Sequence, residues 1–105
     1  MAEAKKTVVV IADEPAVIEL ARLVLERRGF EVVGAVTGRE GLETIRRVKP
    51  DLILLDLMLP DMDGWQFYRK IKADPELRHI PIQVVTARAE GIDEALKRHM
   101  RSLGK

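Results

Sequence analysis

The 105-residue sequence contains no cysteine, so a disulfide framework, a thiolate metal site and a cysteine nucleophile are all excluded. It also lacks a long apolar run. A membrane-spanning helix needs about 20 consecutive apolar residues, and no run in the sequence approaches that length. The first residues, MAEAKK, lack the apolar core of a signal peptide. These absences predict a cytoplasmic protein that has no membrane partner.

An excess of charge of one sign is also missing. Eighteen basic and 17 acidic side chains leave a formal net charge of +1, so nothing in the composition indicates binding to nucleic acid. The apolar fraction of 47% and the charged fraction of 33% are typical of a soluble globular protein. A chain of this length has room for one core, so we expect residues 1–105 to form a single domain.

One stretch, from Leu52 to Gly64, organises the middle of the sequence and reads LILLDLMLPDMDG. Its unbroken apolar run ends on Asp56, and such a run is typical of a strand that is buried on both faces. We therefore predict a strand over Leu52–Asp56, with the carboxylate at the edge where ligands gather in an open parallel sheet. Pro60 and the Asp63-Gly64 pair predict a turn into a helix. The simpler interpretation, that Asp56 only caps a turn, is the alternative.

Three further runs rich in β-branched residues predict strands. They are Thr7–Ile11, Glu31–Val36 and Ile80–Thr86. Together with the helices described next, they alternate along the chain with short loops between them. This order predicts an α/β fold with a doubly wound parallel sheet and right-handed crossovers, here (βα)4.

Apolar residues at helical spacing predict the helices. The first begins at Pro15 and stops at Gly29. The second begins with a capping box of Thr37 and Glu40 and continues through Val48.

Two later stripes of apolar residues predict the remaining helices. In the stripe after Gly64 we assign the aromatic residues to the core, and its members are Trp65, Phe67, Tyr68 and Ile71. The last stripe, which Gly104 ends, consists of Ile92, Ala95, Leu96, His99, Met100 and Leu103.

Carboxylates end two of the predicted strands, because Asp13 follows the first strand and Asp56 ends the third. A doubly wound sheet places these two strand ends side by side at its topological switch point. Converging carboxylates repel each other unless they share a proton or a cation, and Mg²⁺ prefers such oxygen ligands. We therefore predict a Mg²⁺ site. A nucleophilic carboxylate there could accept a phosphoryl group, and Thr86 could donate a hydrogen bond to it.

These motifs together resemble the receiver domain of two-component response regulators, which has a flavodoxin-like (CheY-like) fold. The motifs are VIADEP at residues 10–15, DLMLPDMDG at 56–64 and TA at 86–87, and they occur in the order and spacing of the family. The resemblance covers essentially the whole chain. The second motif is specific, whereas the other two are weak when taken alone.

The resemblance implies a role for each matching residue. Asp56 would be the phosphoacceptor and Thr86 the switch hydroxyl, while Asp13, Asp56 and the backbone carbonyl of Met58 would bind Mg²⁺. The phosphoryl group would come from a sensor histidine kinase, a phosphotransfer protein or a small phosphodonor. A downstream effector protein would read the phosphorylated state.

The sequence departs from the family pattern at the first strand and at the C-terminus. Ala12 stands where the family usually has the first acid of a pair, although Glu14 follows, and this change predicts weak Mg²⁺ binding. The family's fifth strand, Lys-Pro pair and fifth helix are not found before Lys105. Either the chain is a short form, in which case we expect the exposed fourth strand to favour a homodimer, or the sequence is a fragment of a longer protein.

Other functional classes remain as alternatives. A pseudo-receiver would keep the fold as an interaction module without accepting phosphate, and both departures favour it. A flavodoxin-like cofactor binder would need a glycine-rich phosphate loop after the first strand, which is missing. The isolated His79 and His99 are typical of structural or solvated histidines. An independent enzyme would need further convergent catalytic groups, and we predict that the chain is not an enzyme.

Overall fold

The computed structural model describes residues 5–56 and 59–85. It contains one four-stranded parallel sheet with the strand order β2-β1-β3-β4. The strands are β1 (Thr7–Ile11), β2 (Glu31–Ala35), β3 (Leu52–Leu55) and β4 (Ile82–Val84). The helices in this part of the chain are α1 (Pro15–Glu26), α2 (Gly38–Val48) and α3 (Gly64–Ala73). The prediction of a doubly wound α/β fold is confirmed.

Strands β1 and β3 form the centre of the sheet, and side-chain alternation divides the core into two layers. Val8 and Val10 of β1 face α1 together with Leu52 and Leu54 of β3. The intervening residues of both strands face α2 and α3 on the other side. Because both faces are covered, every residue of β3 is buried, which explains its continuous apolar run.

Gly34 allows α1 to pack closely on β2. A Cβ atom at this position would lie 2.5 Å from Cγ2 of Ile18, closer than carbon atoms can approach without movement. Ile18 is itself buried in the layer beneath α1. The glycine that weakens the strand pattern in the sequence is therefore explained by helix packing.

The strand β4 is shorter than predicted and covers Ile82–Val84 rather than Ile80–Thr86. Ile80 belongs to the preceding turn, in which its N–H donates to the carbonyl of Leu77 at 3.0 Å. Pro81 has no N–H to donate, and only its carbonyl joins the sheet by accepting from Ile53 N at 2.9 Å. The proline thus marks the beginning of the strand, and the predicted boundary was wrong by two residues at this end.

The assignment of all the aromatic residues of α3 to the core was wrong. Phe67 and Ile71 are fully buried, but Trp65 is 57% exposed and Tyr68 is 36% exposed. Gly64, Phe67 and Ile71 form the face that packs on the sheet. At about 100° per residue Trp65 lies well away from this face, and Tyr68 lies at its edge. The two exposed rings pack edge to face, with centroids 6.2 Å apart.

Several predictions fall on residues that the structure does not describe. The last apolar stripe, Thr86 and the backbone of Met58 lie outside the described residues. The homodimer stays a prediction, and Val84 at the edge of β4 is 38% exposed. Among residues 5–56 and 59–85, no helix has the length and apolar character needed to cross a membrane.

Candidate functional site

The ends of β1 and β3 bring the predicted site residues to one edge of the sheet. The two strands are paired in parallel, with Ile11 opposite Leu55, and Asp56 N donates to the carbonyl of Ile11 at 2.9 Å. Asp13 follows β1 at the same edge. The structure therefore brings together the elements that carry Asp13 and Asp56, as the sequence predicts.

Position 12 lies beside Asp56 on the α1 face of the sheet. Ala12 continues the alternation of Val8 and Val10 and is fully buried in the same layer. Its N–H donates to the carbonyl of Ala35 at 3.0 Å, which fixes the backbone against β2. Asp56 continues the alternation of Leu52 and Leu54 on β3. Strand pairing therefore makes residue 12 the neighbour of Asp56, at the usual interstrand spacing of about 4.8 Å.

The oxygen atoms available at this edge suit a hard cation. Asp13 is exposed and Asp56 is half-buried, so both carboxylates are near solvent. Mg²⁺ usually takes one or two carboxylates and keeps several waters. Two acidic residues on adjacent strand ends fit that requirement, although residues 5–56 and 59–85 contain no group of three or more metal-ligating side chains. Met58 and Thr86 lie outside these ranges.

Asp61 was not singled out from the sequence, but it connects the segment after Asp56 to α2. One of its carboxylate oxygens accepts from Gly38 N at 2.7 Å, and the other accepts from Arg39 N at 2.9 Å. These two backbone hydrogen bonds lower the pKa of Asp61 below its ordinary value, and the nearby Arg39 charge adds to the effect. The pattern PDMDG offers two aspartates, and only the fold decides which of them contacts α2.

The N-terminus of α2 also differs in detail from the predicted capping box. Thr37 Oγ1 accepts from Glu40 N at 3.0 Å, as predicted. The Glu40 side chain, however, accepts from Val36 N at 2.9 Å, one residue before the N-cap. A reciprocal capping box is found instead at α3, where Asp63 and Gln66 each accept from the other's backbone N–H. It fixes the point at which the loop after Asp56 becomes a helix.

Comparison with known proteins identifies the family to which the chain belongs. Residues 8–103 match the family described as "Response regulator receiver domain". The chain belongs to this family. Receiver domains of response regulators are signalling modules of two-component systems, and they generally bind Mg²⁺ at the phosphorylation site.

Individual relatives of this receiver domain agree with the assignment. It is 39% identical over 89 residues to the polar-differentiation response regulator DivK of Brucella anthropi, an alignment that covers 85% of this chain and 72% of DivK. Among solved structures, it is similar to the N-terminal domain of a response regulator receiver protein from Methanoculleus marisnigri JR1. That match has a TM-score of 0.76 and 37% identity, and it covers 87% of this chain and 76% of the other.

A further solved structure that resembles this receiver domain is described as the phosphorylated cyanobacterial phytochrome response regulator RcpA. The TM-score is 0.73 with 34% identity, and the match covers 96% of this chain and 76% of RcpA. The order of the paired strands therefore agrees with that of the flavodoxin-like receiver fold.

Proposed function

We propose that this receiver domain accepts a phosphoryl group on Asp56 and that Asp13 and Asp56 bind the Mg²⁺ on which the transfer depends. The observation that supports the proposal best is the pairing of Ile11 with Leu55, which brings the two acidic residues to adjacent strand ends. The relative RcpA is described as phosphorylated, which adds support from a protein of the same family.

The chemistry requires a carboxylate that the phosphodonor can reach and that is held at a fixed position. A carboxylate oxygen of Asp56 attacks the phosphorus of the donor, and the P–O or P–N bond to the leaving group breaks as the acyl phosphate forms. The backbone hydrogen bond from Asp56 N to Ile11 holds the nucleophile in place. Bound Mg²⁺ would supply positive charge for the phosphoryl oxygens. Thr86 is proposed to donate a hydrogen bond to the phosphoryl group, and the Met58 carbonyl to complete the metal site.

Response regulator receiver domains interact with histidine kinases and with effectors. For this chain we propose a sensor histidine kinase or a phosphotransfer protein as donor and an effector protein as the reader of phosphorylated Asp56. A pseudo-receiver that binds partners without accepting phosphate is the second candidate. Ala12 favours it, because a buried methyl group replaces a carboxylate next to Asp56.

The test is the intact mass of the chain after incubation with acetyl phosphate and Mg²⁺. We expect one phosphoryl adduct in the parent chain and none in Asp56→Asn. Asp51→Asn is the matched control, because Asp51 lies at the opposite end of β3, where its carboxylate accepts from Thr7 N at 2.8 Å. That variant should keep the adduct.

Two results would contradict the proposal. An adduct that persists in Asp56→Asn would place the phosphoryl group elsewhere. A parent chain that stays unmodified while folded, with a strong donor and saturating Mg²⁺, would instead support the pseudo-receiver.

A further inference from the structure

A shallow groove runs between α2 and α3, on the outside of the layer that these helices form over the sheet. It consists of two adjoining hollows with volumes of about 530 and 460 Å³, and Met62 and Lys70 line both of them. Leu42 and Met62 form an apolar floor, since Leu42 is buried in the core below and Met62 packs on the same core half-buried. A partner that enters the groove can therefore bury apolar side chains there.

Cationic side chains surround this floor on both sides. Each helix contributes two of them, Arg39 and Arg46 from α2 and Arg69 and Lys70 from α3. All four are exposed. Arg39 and Arg46 are seven residues apart, so about 10 Å of helix axis separates them. The positive charge therefore extends along the groove rather than lying at one point.

The carboxylates of the groove offset little of this charge. The described residues that line it include two carboxylates, and Asp61 already accepts two backbone N–H groups at the N-terminus of α2. Only Glu43 then remains to pair with the cations. Arg46 lies 4.0 Å from Asp74, and the two cations of α3 have no ion pair within the part of the chain that the structure describes. The groove thus has an excess of exposed positive charge.

The combination of exposed cations and an apolar floor fits an acidic peptide better than a nucleic acid. Carboxylates form charge-assisted hydrogen bonds with guanidinium and ammonium groups, and apolar side chains between them can pack on the floor. Single-stranded nucleic acid binds through bases that stack on aromatic rings. None of the described residues that line the groove is aromatic. Glu43 would also repel a continuous run of phosphates, whereas a peptide can place an uncharged residue beside it.

We propose that the groove between α2 and α3 is a docking site for an acidic segment of a partner protein, in which apolar residues alternate with Asp or Glu. The carboxylates of the segment pair with the four cations, and its apolar side chains cover Met62, whose flexible thioether adapts to their shape. The proposal goes beyond phosphorylation and does not depend on it, because neither Asp13 nor Asp56 lines the groove.

Fluorescence anisotropy of labelled peptides tests the proposal. The probe is a peptide built from Glu and Leu, with about ten residues so that as a helix it spans about 15 Å of the groove. A Glu-and-Ser peptide has the same charge, and a Lys-and-Leu peptide has the same apolar content. We expect the Glu-and-Leu peptide to bind most tightly, and its affinity should fall as the salt concentration rises, since exposed charges are screened.

Variants of the chain locate the binding site. Arg69→Gln combined with Lys70→Gln should weaken binding of the Glu-and-Leu peptide about 4- to 25-fold, at about two- to fivefold for each exposed ion pair that is lost. Arg27→Gln combined with Arg47→Gln is the matched control, because it removes the same charge from exposed residues that do not line the groove. The control should keep its affinity within about twofold of the parent value. Circular dichroism verifies that each variant is folded.

Three results would overturn the proposal. The Glu-and-Leu peptide could fail to bind at a concentration of about 1 mM. The two double variants could weaken its binding equally, which would show that only the net charge of the chain matters. The Glu-and-Ser peptide or single-stranded polyuridylate could bind as tightly as the Glu-and-Leu peptide, which would show that the groove attracts anions in general.

Discussion

Ala12→Asp gives the sharpest test of how the sheet edge is built. The side chain of residue 12 is fully buried and faces the same side of the sheet as Asp56, on the neighbouring strand. The substitution therefore places a second carboxylate next to Asp56, the proposed phosphoacceptor. We expect it to weaken the metal-free protein and to strengthen Mg²⁺ binding.

The magnitude follows from the strand spacing. Two unit charges about 5 Å apart repel by about 3 kcal/mol at an effective dielectric constant of about 20. Without Mg²⁺ the free energy of unfolding should fall by up to about this amount at neutral pH. Bound Mg²⁺ relieves the repulsion, and at a concentration of about 100 times Kd it adds about 2.7 kcal/mol to stability.

The assay is denaturant unfolding followed by far-ultraviolet circular dichroism, with and without Mg²⁺. Ala12→Asn is the control, because it has nearly the same size as Ala12→Asp but carries no charge. We expect Ala12→Asp to be less stable than Ala12→Asn without Mg²⁺, and we expect Mg²⁺ to stabilise it more than it stabilises either the parent or Ala12→Asn. Equal stability of the two variants without the metal, or equal stabilisation of all three proteins by Mg²⁺, would refute the placement of residue 12 beside Asp56.

Three further predictions test other parts of the fold. Phe67→Ala should lower the free energy of unfolding by about 3–5 kcal/mol, whereas Trp65→Ala should change it by less than about 0.5 kcal/mol. If denaturant unfolding gives similar losses of free energy for both variants, the assigned helix face is wrong. Gly34→Ala should destabilise the protein by about 1–3 kcal/mol through overpacking, and this loss should shrink in the background of Ile18→Ala, which removes the clashing atoms. The pKa of Asp61 is lower in the folded protein than its unfolded-state value of about 4, so its carboxylate stabilises the fold above that value and this stability is lost as pH falls through the folded-state pKa. Asp61→Asn should therefore lose less of its free energy of unfolding on acidification than the parent does. Equal dependence of the free energy of unfolding on pH in the two proteins would contradict the two hydrogen bonds.

The elements that position the site could be predicted from the sequence because their signals are continuous and local. The buried strand before Asp56 reads as four consecutive apolar residues, and β1 reads as a β-branched run. The adjacency of the two strand ends then follows from the winding rule of parallel α/β sheets rather than from any single residue. For this reason Asp13 and Asp56 could be paired before the structure was known.

Other features depend on contacts between distant segments and leave no periodic signal. Asp61 and Asp63 are the same residue type two positions apart, yet one contacts α2 and the other caps α3. The exposure of Trp65 depends on which face of α3 meets the sheet, and an apolar stripe that includes Phe67 fits two different orientations of the helix. The beginning of β4 depends on how Pro81 meets β3.

The central position of β1 has a consequence for the order of folding. Of the four described strands, β1 is synthesised first, but it pairs with β2 on one side and with β3 on the other. Its second partner follows about 40 residues later in the chain, as the bond between Thr7 N and Asp51 illustrates with a separation of 44 residues. Closing so long a loop before the contact forms slows folding. Until β3 is available, one edge of β1 has unpaired backbone N–H and C=O groups between apolar side chains, and we expect the nascent chain to be most prone to aggregation in that interval.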